Sequence, residues 1–314
     1  GCELADVEHS GGEVAAIKLS DGSRFSASVF IDATGDGLLC RMAGCEQHAG
    51  MDACDLYGEA SAPHKAKMVL NGATLIYRVS PTDSEAIEPL PAAIPAEPWW
   101  KSGPTCACIN HYPNGDLNIN MLPSMAGAEA LELGWEKAHA ECSRRIRQHW
   151  HFIQENFPEF RRYRMTWVAP YLGIRESRRT ICERMLTEND LRLGLSGQKD
   201  NDIIAIADHP FDRHGEGPAL GELDQPYGIP YRCLIPRGFG NLLIACRGAG
   251  FSSMAATSCR LSRTMMQLGQ AAGTATAIAL GGKRPLPEVS AAELRASLRS
   301  QNVQLAWPLE PEII

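Results

Sequence analysis

Asn241-Leu-Leu-Ile-Ala-Cys-Arg-Gly-Ala-Gly-Phe-Ser-Ser253 opens the stretch whose reading decides the fold, and it runs on to Leu280. Leu242 to Ala245 is a short apolar run without alternation, which fits a strand covered on both faces. Gly248 and Gly250 interrupt it and allow a sharp turn or a close backbone approach. Beyond them Leu261, Met265, Leu268 and Ala272 recur at helical spacing. Strand, glycine turn and helix is the arrangement in which helix N-terminal N–H groups face an anion or a polarised oxygen, so a nucleotide or cofactor site is expected.

Working outward, a second unit of the same kind lies near the other end of the chain. Val29-Phe-Ile31 reads as a short strand ending in Asp32-Ala-Thr-Gly-Asp-Gly37, and Leu38, Leu39 and Met42 predict a helix that Gly44 ends. Before it, Val14–Leu19 and Arg24–Val29 are strand-like around a hairpin turn at Ser20-Asp-Gly-Ser23. After it, prolines at 81, 89, 91, 95 and 98 predict long surface connections, with a strand from Gly72 to Val79. Asn114-Gly115 predicts a second hairpin. Residues 127–157 predict one long amphipathic helix carrying Leu131, Trp135, Ala138, Cys142, Ile146, Trp150, Ile153 and Phe157 on one face, stopped by Pro158. Arg144, Arg145 and Arg147 on its other face read as solvated. Met165–Leu172 is strand-like, residues 183–226 carry mixed loop and short-helix signals, and Pro226–Pro236 predicts an edge strand or extended connection. Ala291–Gln301 predicts a last helix.

Composition excludes several classes. With 314 residues, 44% hydrophobic and 21% charged, the chain is that of a globular protein with a sizeable core. A net charge of −7 gives no basic field for nucleic acid, and no apolar run reaches membrane-spanning length. The 11 cysteines are an odd number without a Cys-x-x-Cys, so free, buried thiols are expected rather than a disulfide framework, a zinc site or an iron–sulfur site. Such thiols suit a reducing compartment, and a cytoplasmic location is expected. Asp208, His209, Asp212, His214 and Glu216 could be weighed as metal ligands but read as polar surface, so no metal is expected. No G-x-S-x-G, H-E-x-x-H or P-loop occurs, which leaves hydrolase and NTPase readings without support.

Neither glycine turn is a self-contained dinucleotide fingerprint. Gly248-Ala-Gly-Phe-Ser-Ser253 has serine where a third glycine belongs, and no Asp or Glu occurs between Met254 and Pro287 to hold a ribose. Taken together, however, the two units resemble something specific. Val29-Phe-Ile-Asp-Ala-Thr-Gly-Asp-Gly37 resembles the "ATG" motif of FAD-dependent oxidoreductases with the glutathione-reductase-type FAD fold. Tyr227 to Ala279, with Asn241-Leu-Leu-Ile-Ala-Cys-Arg247 and Leu268-Gly-Gln-Ala-Ala-Gly-Thr-Ala275, resembles their C-terminal return segment. Gly173-Ile-Arg-Glu-Ser-Arg-Arg-Thr-Ile181 is similar to a third segment of the family that includes heterodisulfide-reductase-subunit-like and fumarate-reductase-related proteins.

The resemblance implies an α/β chain with α+β character in a cap: an incomplete glutathione-reductase-type FAD-binding domain with an inserted substrate or cap domain. Residues 1–45 would belong to the FAD domain, 46–226 to the insertion, 227–285 to the return segment, and 286–314 to a C-terminal helix and tail. Because the strand–GxGxxG–helix unit that holds the FAD pyrophosphate is not found, the chain is expected to be the C-terminal portion of a longer one. An iron–sulfur cluster would then belong to the missing portion, since the cysteine spacing here does not support one. Expected cofactor contacts are Asp32, Ala33, Thr34, Gly35, Asp36, Arg247, Gly248, Gln270 and Ala271, with Cys246-Arg247 standing where family members have Gly-Asp or Gly-Arg. For catalysis on a small-molecule substrate, which the arginines would suit if it is acidic, the candidates are Arg175 and Arg178, in a group that also holds Glu176 and Arg179, with His111 on the cap hairpin. An ion-pair network bracing the structure is the competing reading of those arginines. The implied function is flavin-mediated hydride or electron transfer; the alternative is a non-catalytic or truncated subunit of a redox complex that cannot hold FAD alone.

Overall fold

The computed structural model describes residues 1–100, 106–213 and 221–308. They form two compact units. One combines Gly1–Met68, Glu176–Arg213 and the described part of Gly217–Ile314; the other is Val69–Arg175. Residues 46–68 and 176–213, which the sequence places in the insertion, therefore pack with the first unit.

In chain order, the first unit starts with an antiparallel sheet of β1 (Leu4–Ser10), β2 (Glu13–Leu19) and β3 (Arg24–Ser26). The turn between β2 and β3 falls at Ser20–Ser23, closed by Leu19 accepting from the Gly22 N–H. Then come β4 (Phe30–Asp32), α1 (Leu38–Met42), β5 (Gln47–Ala49) and α2 (Cys54–Tyr57).

The second unit is a four-stranded antiparallel sheet under a helix. Its strands are β6 (Ile76–Pro81), β7 (Cys106–His111), β8 (Leu117–Leu122) and β9 (Tyr163–Val168), in the order β7-β8-β6-β9. The β7–β8 hairpin turns at Asn114-Gly115, with Gly115 at φ 88°. The predicted long helix is two: α3 (Gly127–Leu133) and α4 (Trp135–Asn156). Gly134, at φ 78° and ψ 153°, breaks it with a backbone conformation that side chains rarely adopt. Ala138, Cys142, Ile146, Trp150 and Ile153 of α4 pack with Tyr77, Val79, Ile119 and Met121 of the sheet. Arg144 and Arg145 are not merely solvated: both bind Glu141, three and four residues back, about one turn of helix away. Glu141 is held down to about 2, first by its hydrogen bond from Arg144.

The first unit resumes with β10 (Arg178–Thr180), α5 (Glu188–Gly197), β11 (Ile203–Ala207), β12 (Tyr227–Pro230), β13 (Leu242–Ile244), α6 (Ser262–Gly282) and α7 (Ala291–Ser300). β12 is an edge strand, as expected, but a covered one. All four of its residues are buried, and it pairs with β11, a strand formed by Ile203-Ile-Ala-Ile-Ala207 whose brevity hides it in a loop-rich stretch. α6 begins where the helical spacing predicts it, with Leu261 as its cap, after a short 3-10 turn at Ala255–Thr257. Thr264, Leu268, Ala271, Ala272, Ala275 and Ala279 form its buried face.

The pairing that positions the site is parallel: Leu242 opposite Phe30, Leu243 opposite Ile31, Ile244 opposite Asp32. The two strand–glycine-turn units, far apart in sequence, thus run side by side and end together.

Candidate functional site

Asp32, fully buried at the end of β4, organises the first turn. Its Oδ1 accepts from the Thr34 N–H at 3.0 Å and from the Thr34 hydroxyl at 2.7 Å; its Oδ2 accepts from the Cys40 N–H at 2.9 Å. The Thr34 hydroxyl oxygen in turn accepts from the Leu38 N–H at 2.9 Å. These bonds do the work of an N-cap for α1, whose own cap residue is Gly37 in the left-handed region at φ 63°. The Asp-Ala-Thr-Gly-Asp order has a local cause: an acid and a hydroxyl to satisfy the first N–H groups, and glycines where the chain turns left-handed. Ala33 and Thr34 are exposed.

The second turn locks onto the first. Arg247 Nη2 lies 2.6 Å from Asp36 Oδ1, which also accepts from the Ser177 hydroxyl at 2.5 Å. Gly35 is required here, since a Cβ would come within 2.8 Å of Arg247 Nη1 and φ is 88°. The Arg247 Nε is buried without an acceptor among the described residues. Gly248 lies under β10: its carbonyl accepts from the Thr180 N–H at 2.7 Å, and a Cβ would stand 2.9 Å from the Arg178 carbonyl. The Cys246 sulfur sits among the N–H groups of Gly248, Gly37 and Gly35. Burial, with the Asp32 charge, pushes its thiol up to about 11 against the pull of those donors.

β10 separates the expected arginine cluster into different environments. It pairs antiparallel with β5, Arg179 opposite His48, so consecutive side chains face opposite ways. Arg179 is 1% exposed, and its two terminal nitrogens bind Glu176 at 2.6 Å, the Gly50 carbonyl at 2.7 Å and Asp52 at 3.0 Å, while its Nε has no acceptor among the described residues. Arg178 is half-buried, and no hydrogen bond or ion pair joins its guanidinium to another described residue. Arg175 belongs to the other unit, where it donates to the Gly72 carbonyl at 2.7 Å and the Thr74 hydroxyl at 2.5 Å.

Around Arg179 lies a group of acids that no sequence motif marks. Asp52 Oδ2 accepts from the Ser253 N–H at 2.7 Å, while the Asp52 N–H donates to the Ser253 hydroxyl at 2.9 Å. His48 lies 3.4 Å from Asp52 and 3.5 Å from Glu46. Glu59 Oε1 accepts from the Glu188 N–H at 2.7 Å and the Ser252 hydroxyl at 2.5 Å, yet its Oε2 is buried without a partner among the described residues. Burial raises the Glu59 carboxyl above its ordinary range, so it tends to hold a proton. The only signal available in the sequence is Ser252-Ser253 within a run of small apolar residues.

The remaining expected residues lie elsewhere. His111 is exposed at the end of β7 in the second unit. Gln270 is exposed on α6 and donates to Gln301 at 3.1 Å, while Ala271 is in the core. Asp208 pairs with Arg263, and Asp212 with Arg260 and His209; His214 and Glu216 lie outside the described residues. The described cysteine side chains are free thiols. No helix among the described residues is long and apolar enough to cross a membrane.

Comparison with curated proteins finds no match. A protein-family model described as FAD dependent oxidoreductase matches residues 1–298, nearly the whole chain. Mixed helices and sheets, the paired turns and that match agree, and the chain belongs to the FAD-dependent oxidoreductase family.

Proposed function

We propose that this chain forms the ring-side half of an FAD site in a glutathione-reductase-type fold, serving hydride or electron transfer to an acidic small molecule. The observation that carries the reading is the parallel β4–β13 pair, which brings the Asp32–Gly37 and Cys246–Gly250 turns together beside Arg247. The residues fit the cofactor's electron-rich edge: the Arg247 Nε is a buried donor with no acceptor among the described residues, aligned by the Asp36 carboxylate. A bound flavin supplies the redox chemistry, and a cation at its N1/C2 edge stabilises the reduced, anionic form. Asp32 holds the turn, Asp36 fixes Arg247, and Arg178 offers an uncommitted guanidinium to a substrate carboxylate. Val69–Arg175 would serve as the substrate or cap domain.

The pyrophosphate has no holder here. No strand–GxGxxG–helix occurs in these 314 residues. β4 pairs on one edge only among the described residues, and Ile31, between residues bonded to β13, directs its N–H and C=O to the other edge. Parallel strands are normally buried within larger sheets, so that edge is suited to a strand from a dinucleotide-binding unit supplied by further chain or by a partner.

Arg247→Met tests the assignment in the chain joined to a strand–GxGxxG–helix unit and loaded with flavin. Loss of the charge is expected to weaken flavin binding at least tenfold and to lower the flavin reduction potential; unchanged affinity and potential would sink it. The alternative, a non-catalytic subunit, is favoured by one observation: the buried Cys246 sulfur already lies beside the N–H groups of Gly35, Gly37 and Gly248. Cys246→Gly distinguishes the two readings. Unchanged flavin affinity means that sulfur and ring coexist, whereas binding gained only in the variant supports the non-catalytic subunit.

A further inference from the structure

α1 ends in a Schellman motif. The Gly44 N–H donates to the Arg41 carbonyl at 3.1 Å and the Cys45 N–H to the Cys40 carbonyl at 2.9 Å, with Gly44 at φ 84°. This pattern of crossed bonds folds the chain back on its last turn, and it brings the side chains of its two outer residues into contact. In most helices that contact is apolar. Here both residues are cysteines, so the crossed backbone bonds bring two thiols together.

We propose that Cys40 and Cys45 are a reversible dithiol–disulfide pair, oxidised by hydroperoxides. The two thiols differ in access: Cys40 is fully buried, whereas Cys45 is partly exposed. Cys45 is therefore oxidised first. Its sulfur attacks the terminal peroxide oxygen; the O–O bond breaks, an alcohol or water leaves, and Cys45 becomes a sulfenic acid. The Cys40 sulfur then attacks the Cys45 sulfur, the S–S bond forms, the S–O bond breaks, and the Cys40 proton leaves with the hydroxyl as water. Two electrons pass from the thiol pair to the peroxide. The backbone already holds the two residues in one turn, so little ordering is needed to close the link.

The position gives the link a consequence. The Cys40 N–H donates to Asp32 Oδ2, so the disulfide clamps the end of α1 to the residue that shapes the first glycine turn. Cys182, fully buried beside Cys40, is the competing resolving thiol. The inference stands independently of flavin binding.

Arg41 lies between the two cysteines, which makes the test direct. The chain is treated with a small excess of hydrogen peroxide, blocked with iodoacetamide after unfolding, and digested with trypsin. The expected result is a cross-linked species joining the peptide ending at Arg41 to the one beginning at Met42, lost on reduction with dithiothreitol. It should persist in Cys54→Ser, which removes the other thiol of the second peptide, and disappear in Cys45→Ser. Alkylation of both thiols, a Cys45–Cys182 link, or a Cys45 sulfinic acid beside an alkylated Cys40 would each overturn the proposal.

Discussion

Asn241 does with its side chain what a strand does with its backbone. Its Oδ1 accepts from the Val14 N–H at 2.9 Å and its Nδ2 donates to the Val14 carbonyl at 2.8 Å, while its own carbonyl accepts from the Phe30 N–H. One residue thus joins the β1–β3 sheet to the β4–β13 pair. Asn241→Leu leaves both Val14 groups buried without partners, and a loss of about 1–3 kcal/mol is expected in chemical denaturation. Glu59 makes a different prediction. Its carboxyl is raised, by burial first, so between the ordinary value of 4.5 and the raised folded value the folded state keeps a proton that the unfolded state has lost. Stability should therefore fall as pH rises through that window. Glu59→Gln, which can keep the Oε1 bonds to Glu188 and Ser252, should flatten the slope; an unchanged profile would mean that Glu59 is ionised when folded. The sequence cannot show such residues. A buried acid at 52 or 59 is defined by Arg179, Ser252 and Ser253, which are distant in the chain and meet it only after folding.

At the scale of elements, what was legible is what is local. Asp32-Ala-Thr-Gly-Asp marks its own turn because the acid and hydroxyl that satisfy α1 are within a few residues of it. The Asn114-Gly115 and Ser20–Ser23 turns, α1 and α7 are legible for the same reason. β11 is not, since five small apolar residues fit a strand or a helix equally until β12 lies beside them. Gly134 is also invisible to periodicity: α3 and α4 continue one apolar pattern across a residue whose φ of 78° ends the helix. A Cβ at Gly134 would meet nothing within 4 Å, so the cost of Gly134→Ala is backbone strain alone. An expected loss of roughly 1–3 kcal/mol in the unfolding of this chain checks it. A stabilised variant would show that one straight helix is accessible there.

At the scale of the molecule, the first unit assembles from segments of the chain that lie far apart: Gly1–Met68, Glu176–Arg213 and the return through β13 to α7. That discontinuity explains why neither glycine turn is a fingerprint alone. Each is half of a surface completed by the other, and the arginine motif divides between Arg175 in one unit and Glu176 to Arg179 in the other. We propose that these residues shape the flavin-ring side while a separate unit holds the pyrophosphate. Visible absorbance after gel filtration with FAD tests it most directly. The chain alone should emerge without flavin, and the chain joined to a strand–GxGxxG–helix unit should retain it stoichiometrically. Full retention by the chain alone would contradict the account.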